Sequence, residues 1–168
     1  MRLTREGERR QTSGRWKTYA ASAAAVTVTA AAGSWAVAPD THWYRSLSKP
    51  SWQPPAWVFG AVWTPLYAGI AWAGGRALLE ARAEERRALT ISLGLNLALN
   101  TTWNVLFFRL RSTRAGLMGT ALLDVSNAEL IARTAKTDRA AALALIPYVA
   151  WCGFATCLNA SIVRRNGR

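Results

Sequence analysis

The chain has 168 residues, one domain's worth; 51% of them are hydrophobic and nine are Trp. Lys and Arg number 21 against 9 Asp and Glu, a net charge of +12. The charges fall in clusters that punctuate long uncharged runs, a pattern that fits the flanks of membrane spans and excludes the continuous basic stripe of a nucleic-acid-binding face. The mean hydropathy of +0.05 is low because it averages over those clusters.

Residues 1–17 are basic and polar and are expected to be a disordered N-terminal extension. The first uncharged run, Thr18 to Pro39, follows them. It ends Ala36-Val37-Ala38, which resembles a signal-peptide cleavage site. Its length exceeds the usual apolar core of a signal, and no apolar residues follow Arg9-Arg10 promptly enough for a twin-arginine signal, so a retained helix is expected.

A segment rich in Trp and Pro comes next. Pro50, Pro54 and Pro55 exclude a regular helix there, and Pro55 suits the start of the helix that follows. Trp43, Tyr44, Trp52 and Trp57 crowd around it. An aromatic belt at the membrane interface accounts for one or two of these. Four on a Pro-stiffened segment predict a lid over a cavity, and a long irregular connection in a compact domain is usually functional. His42, the one histidine, sits beside Trp43 and reads as an interfacial residue rather than a haem ligand.

The remaining uncharged runs are Pro50 to Gly75, Ala88 to Phe108 and Ala140 to Val163, with a fifth, Ala115 to Ala132, interrupted by Asp124 and Glu129. A membrane-spanning helix needs about 20 apolar residues, and only helices or closed barrels satisfy the backbone in lipid. The fold expected is therefore all-α: an integral membrane bundle of five transmembrane helices over residues 18–163, with a basic tail at 164–168. An odd count without internal repeats argues against the inverted repeats of many transporters. Five spans place the termini on opposite sides. The N-terminal side carries 13 of the Lys and Arg and the other side 8, which puts the N-terminus in the cytoplasm; Arg109, Arg111 and Arg114 weigh against that orientation.

Three helical faces are candidates to line a site. Phe59, Trp63 and Tyr67 step by four; Asn96, Asn100 and Trp103, and Trp151, Ala155 and Leu158, step by four and three. Asn is costly in lipid, so Asn96 and Asn100 should face inward, either bonding helix to helix or touching a ligand. Ala155 is small among large neighbours and leaves room for a ring. With Trp43 and Tyr44 of the lid, these aromatics and amides suit a flat apolar ligand. Asp124, an ionisable group at membrane depth, is a functional candidate with Asn104 or the Trp103 indole as possible partners. Glu129 and Arg133 read as a surface pair. Cys152 and Cys157, five apart on a helix, point well over 100° apart, against a shared disulfide or metal. Gly94 and Ala98 form a small-xxx-small pair and predict a homodimer.

One stretch is more specific than the rest: Trp43-Tyr44-Arg45-Ser46-Leu47-Ser48-Lys49-Pro50-Ser51-Trp52-Gln53-Pro54-Pro55, followed by Phe59, Trp63, Leu66 and Tyr67. It resembles the TspO/MBR family of tryptophan-rich sensory and translocator proteins. Leu99-Asn100-Thr101-Thr102-Trp103-Asn104 with Phe107-Phe108, Asp124, and Pro147-Tyr148-Val149-Ala150-Trp151 with Phe154, Leu158 and Asn159 extend the resemblance along all but the basic leader. It implies a five-helix membrane protein, often dimeric, that binds porphyrin or haem as ligand with no required cofactor. It also implies a bacterial plasma membrane setting and a receptor or sensor role in tetrapyrrole homeostasis or stress signalling. Alternatives are light- and oxygen-dependent porphyrin breakdown, or transport of tetrapyrrole or lipid. No nucleophile–base pair or metal cluster points to ordinary catalysis. Animal members carry a Tyr-centred cholesterol motif near the C-terminus; here Leu158-Asn159-Ala160-Ser161-Ile162-Val163-Arg164 lacks the Tyr.

Overall fold

The structure, a computed structural model, describes residues 2–167, with side chains from Gly14 onward. Among the described residues it is all-helical, with no strand. The elements are α1 (Arg2–Ala36), α2 (His42–Ser46), α3 (Ala56–Glu80), α4 (Ala83–Asn104), a π-helical turn (Val105–Arg109), α5 (Thr113–Thr137) and α6 (Arg139–Asn166). The backbone is helical from Arg2, where a disordered leader was expected. Residues 2–17 contain good helix formers and no Pro. The Trp/Pro-rich connection is not wholly irregular either. The short α2 fits in ahead of Pro50, with Thr41 accepting a hydrogen bond from Tyr44 N at 3.3 Å as its cap.

Short connections join the consecutive long helices from α3 to α4 and from α5 to α6. Two residues join α3 to α4, and Asp138 alone joins α5 to α6, capping the latter through Ala141 N at 2.7 Å. Ser112 caps α5 through Ala115 N at 3.1 Å. The single-residue turn makes α5 and α6 antiparallel neighbours, whereas α3 and α4 diverge beyond their turn and pack mainly on other helices. The five long helices close into a ring in which α1 packs on α3, α3 on α6, α6 on α5, α5 on α4 and α4 back on α1. Small residues permit the tightest approach. Ala73, Gly74, Gly75 and Ala77 of α3 are all buried, and Ser22 of α1 donates to the Ala71 carbonyl at 2.8 Å.

The ring is apolar outside and partly polar inside. Trp35, Ile91, Leu95, Met118, Leu122, Val125, Leu143 and Ile146 are exposed, while Asn96, Asn100, Asn127 and Asn159 are buried. Exposed apolar surface on this scale marks a membrane or interaction surface. Where the sequence predicts five apolar spans, α6 alone of the described helices is long and apolar enough to cross a membrane on length and composition. The other long helices fall short for physical reasons. Helix α1 opens with charged residues, α3 is rich in Trp and Gly, α4 carries three Asn, and α5 holds Asp124, Asn127 and Glu129.

At the end that holds the α5–α6 turn, Arg76 of α3 contacts Asp138 at 2.9 Å. The Arg76 hydrogen bond, aided by the backbone N–H of Ala141, holds the Asp138 carboxyl below its ordinary value. A depressed carboxylate contributes stability above its unfolded pKa of about 3.9 and loses it as pH falls through the folded value. Wild type should therefore melt above Arg76→Gln at pH 6–7 in detergent, and the gap should close below about pH 3.9. A gap independent of pH would assign the effect to packing of Arg76 on Trp72 instead.

Candidate functional site

At the opposite end, where α1, α4 and α6 finish and α3 begins, the ring encloses a cavity of about 340 Å³. Phe59, Trp63 and Tyr67 of α3 form one wall, as a four-residue step along one face requires. Trp103, Asn104, Phe107 and Phe108 form the second, Leu158, Asn159 and Ile162 of α6 the third, and Gly33 and Ser34 of α1 with Val37 just past its end the fourth. Tyr44 and Gln53 cover it.

The π-helical turn shapes the second wall. Leu110 N bonds to Val105 O at 3.0 Å, five residues back. The wider turn lets the adjacent Phe107 and Phe108 both border the cavity, as an α-turn would not favour; single π turns often mark functional sites. Phe107 stacks on Trp103 with ring centres 5.9 Å apart and meets Phe108 edge-on at 5.0 Å. Two residues past the turn, Arg111 adopts a φ of 51°.

The cover is fastened on two sides. The Asn166 side chain, at the end of α6, accepts from Ser48 N at 2.9 Å and donates to Ser48 O at 3.0 Å. Gln53 donates to the Tyr44 hydroxyl at 3.3 Å, and the Lys49 amine lies 4.1 Å from the centre of the Tyr44 ring. Burial raises the Tyr44 pKa, against the opposing Gln53 hydrogen bond, and burial lowers that of Lys49. Across the mouth, Arg109 donates to Trp35 O at 2.6 Å and stacks its guanidinium over the Trp35 ring.

Among the described residues no charged side chain lines the cavity. Its polar groups are neutral, and three are buried without a partner: Gln53 Oε1, Asn159 Oδ1 and Trp103 Nε1. Two acceptors and one donor thus stand in an otherwise aromatic wall, the usual composition of a site that orients an apolar ligand.

Beneath the cavity lies a polar network that links helix to helix. The Tyr67 hydroxyl donates to Asn100 Oδ1 at 3.2 Å, and Asn100 Nδ2 reaches the Tyr148 hydroxyl at 3.5 Å. Tyr148 donates to Asn96 Oδ1 at 2.9 Å, and Asn96 Nδ2 bonds Asn127 Oδ1 at 2.7 Å and Ser126 Oγ at 3.2 Å. Helices α3, α4, α5 and α6 all contribute.

Of the residues singled out from the sequence, the cavity gathers Tyr44, Phe59, Trp63, Tyr67, Trp103 and Leu158. Trp43, Asn96, Asn100, Trp151 and Ala155 do not line it. Trp43 backs Phe107 edge-on at 5.5 Å. Asn96 and Asn100 are spent on the network. Trp151 stacks on Phe154 at 5.1 Å and buttresses Phe59 from behind at 5.7 Å. The Ala155 carbonyl receives Asn159 Nδ2 at 2.9 Å. Asp124 pairs with neither Asn104 nor Trp103; Thr156 Oγ1 donates to it at 2.6 Å. Glu129 binds Arg133 as expected and also accepts from Ser92. Both cysteines are free. Sequence reasoning did not single out Asn104, Phe107, Phe108, Asn159, Gln53 or the α1 wall for the site. The first five stood in the motifs that carry the family resemblance; Gly33 and Ser34 had no signal beyond their small size, and Val37 had none.

Comparison with known proteins agrees with the motifs. The profile of the TspO/MBR family matches residues 21–165. The tryptophan-rich protein TspO of Chlorobaculum tepidum is 33% identical over 129 residues, covering 76% of this chain and 82% of its own. The human translocator protein is 39% identical over 133 residues, 74% of this chain and 75% of its own. A tryptophan-rich sensory protein of Cereibacter sphaeroides is 32% identical over 128 residues, 76% and 78%.

The network makes a stability prediction. Tyr148→Phe leaves Asn96 Oδ1 without its donor and Asn100 Nδ2 without its acceptor, and should cost about 1–3 kcal/mol. Tyr67→Phe removes one bond at the cavity edge and should cost less. Thermal midpoints in one detergent compare the two, and equal midpoints would remove the network from the account of bundle stability.

Proposed function

The chain belongs to the TspO/MBR family, a family of membrane proteins, and on that footing we propose that it binds porphyrins or related flat apolar ligands in the cavity between α1, α3, α4 and α6, as a receptor or sensor in tetrapyrrole homeostasis or stress signalling. The observation that carries the reading is the uncharged, aromatic-walled cavity inside the ring, closed by a Pro-stiffened segment. Trp63 and Trp103 offer faces for a conjugated ring, and Gln53, Asn159 and Trp103 Nε1 offer the few polar contacts that orient it. The carboxylates of a porphyrin would then lie at the mouth, near Lys49. At about 340 Å³ the cavity is at the small end of ligand pockets, so a macrocycle must displace Tyr44 and Gln53 on entry.

In this reading all five long helices cross the membrane. Trp and Asn lower the hydropathy of α3 and α4 while serving the interface and the interior. The cavity opens on the extracytoplasmic side and the more basic end faces the cytoplasm, in a bacterial plasma membrane. Gly94, whose missing Cβ would meet nothing, and the exposed Ala98 give α4 a close-packing face for a second copy. Reporter fusions should place the N-terminus inside and the C-terminus outside. Termini on one side would contradict five spans.

Gly60 lines the cavity, and a Cβ there meets only open space. Gly60→Phe should fill the site and weaken protoporphyrin binding at least tenfold while the thermal midpoint holds. Trp63→Ala should weaken it about fivefold, since an aromatic pair contributes about 1 kcal/mol beyond burial. Tryptophan quenching by protoporphyrin measures both. Wild-type affinity in both folded variants would place the ligand elsewhere. Illumination in air gives a further readout: unchanged chromophore accords with binding, and a ring-opened product with breakdown.

A further inference from the structure

The end of the ring away from the cavity carries a second concavity, on its outer surface between α1 and α3. Arg15, Trp16, Tyr19 and Ala23 of α1 face Ala71 and Trp72 of α3 across a groove of about 500 Å³. The α1 residues fall at i, i+1, i+4 and i+8, along one side of the helix. Tyr19 forms the floor. It lies so close over Gly75 that a Cβ there would come within 2.4 Å of its ring. Trp16 is 75% and Trp72 43% exposed, too exposed to belong to the core. One turn beyond Trp72, the Arg76 guanidinium sits 5.6 Å from the centre of the Trp72 ring while bound to Asp138.

The groove is thus apolar along its length, edged by two indoles, and basic at the end nearest the cytoplasmic turns. A lipid-facing slot between helices fits an acyl chain, indoles favour the depth of the headgroups, and Arg at that depth attracts phosphate. Lys17, beside Trp16 on α1, adds positive charge at the same end. A zwitterionic headgroup would bring its own cation against these residues; an anionic one would not. We propose that this groove holds one anionic phospholipid, its acyl chain lying along Ala23 and Ala71 between Trp16 and Trp72 and its phosphate at Arg15. The proposal rests on the membrane placement of α1 and α3 given above, and is independent of the tetrapyrrole assignment.

The test offers the purified full chain equal amounts of phosphatidylglycerol and phosphatidylcholine with identical acyl chains, and counts retained lipid by native mass spectrometry after mild delipidation. Wild type should retain one phosphatidylglycerol in preference to phosphatidylcholine. Arg15→Gln should reduce that preference about fivefold, the contribution of a single Arg near an anionic surface. Trp72→Ala should lower retention of both lipids, and Arg87→Gln, away from the groove, should leave the preference alone. No retained lipid in wild type, an unchanged preference in Arg15→Gln, or an equal loss in Arg87→Gln would overturn the proposal, the last by showing diffuse surface charge. Unaltered lipid retention in Trp72→Ala with a shift from dimer to monomer would assign the groove to a second copy, and also overturn it. An unchanged thermal midpoint certifies each variant as folded, whether or not any of them binds porphyrin.

Discussion

The cavity end of this protein depends on hydrogen bonds made inside an apolar ring. In lipid, helices gain nothing by turning apolar side chains toward one another, because the surrounding chains are as apolar as Leu. What fixes their register is the cost of an unpaired amide or phenol. Asn96, Asn100, Asn127, Tyr148 and Tyr67 are linked by hydrogen bonds across four helices, so a rotation or slide of any one of the helices breaks a bond. The same network sets the height of the cavity floor, since the Tyr67 hydroxyl belongs to the network while its ring belongs to the wall, stacked on Trp63 at 5.0 Å.

Above that floor the walls are built from rings that hold one another. Trp103, Phe107, Phe108 and Tyr44 form a continuous set of stacked and edge contacts, and Phe59, Trp151 and Phe154 form another. A rigid, uncharged wall with a separately fastened cover divides the work: shape and π surface come from the bundle, and access comes from α2 and the segment after it. The fastening is polar and lies at the aqueous edge, where Asn166 grips the backbone of Ser48 and water competes for the bond.

Much of this was legible in the sequence, and the failures have physical causes. Long uncharged runs gave the five long helices, and the Pro and Trp cluster gave the cover, because Pro geometry and charge exclusion act locally. Asn96 and Asn100 were readable as inward-facing; whether they met a ligand or each other depended on partners in α5 and α6, which spacing on one helix does not reveal. Trp151 and Ala155 share a helical face with Leu158, but α6 turns that face partly behind Phe59, so only Leu158 reaches the cavity. Phe107 and Phe108 were hidden as a pair by assuming an α-helical turn where the chain widens into a π turn. The sequence left the Asp124 partner open; it is Thr156, because α6 lies against α5 while Trp103 and Asn104 sit toward the cavity.

The two ends of the ring are chemically distinct. One holds an uncharged, aromatic cavity; the other has an outer groove edged by Trp16 and Trp72 with Arg15 beside it. The most direct test is a crystal structure of the full chain with protoporphyrin bound. A macrocycle lying between Trp63 and Trp103, with Tyr44 and Gln53 displaced and the Asn96–Tyr148–Asn100 network unchanged, is the expected result. A macrocycle on the outer face of the helices or between two copies of the chain, with the cavity still closed, would contradict the assignment of the site.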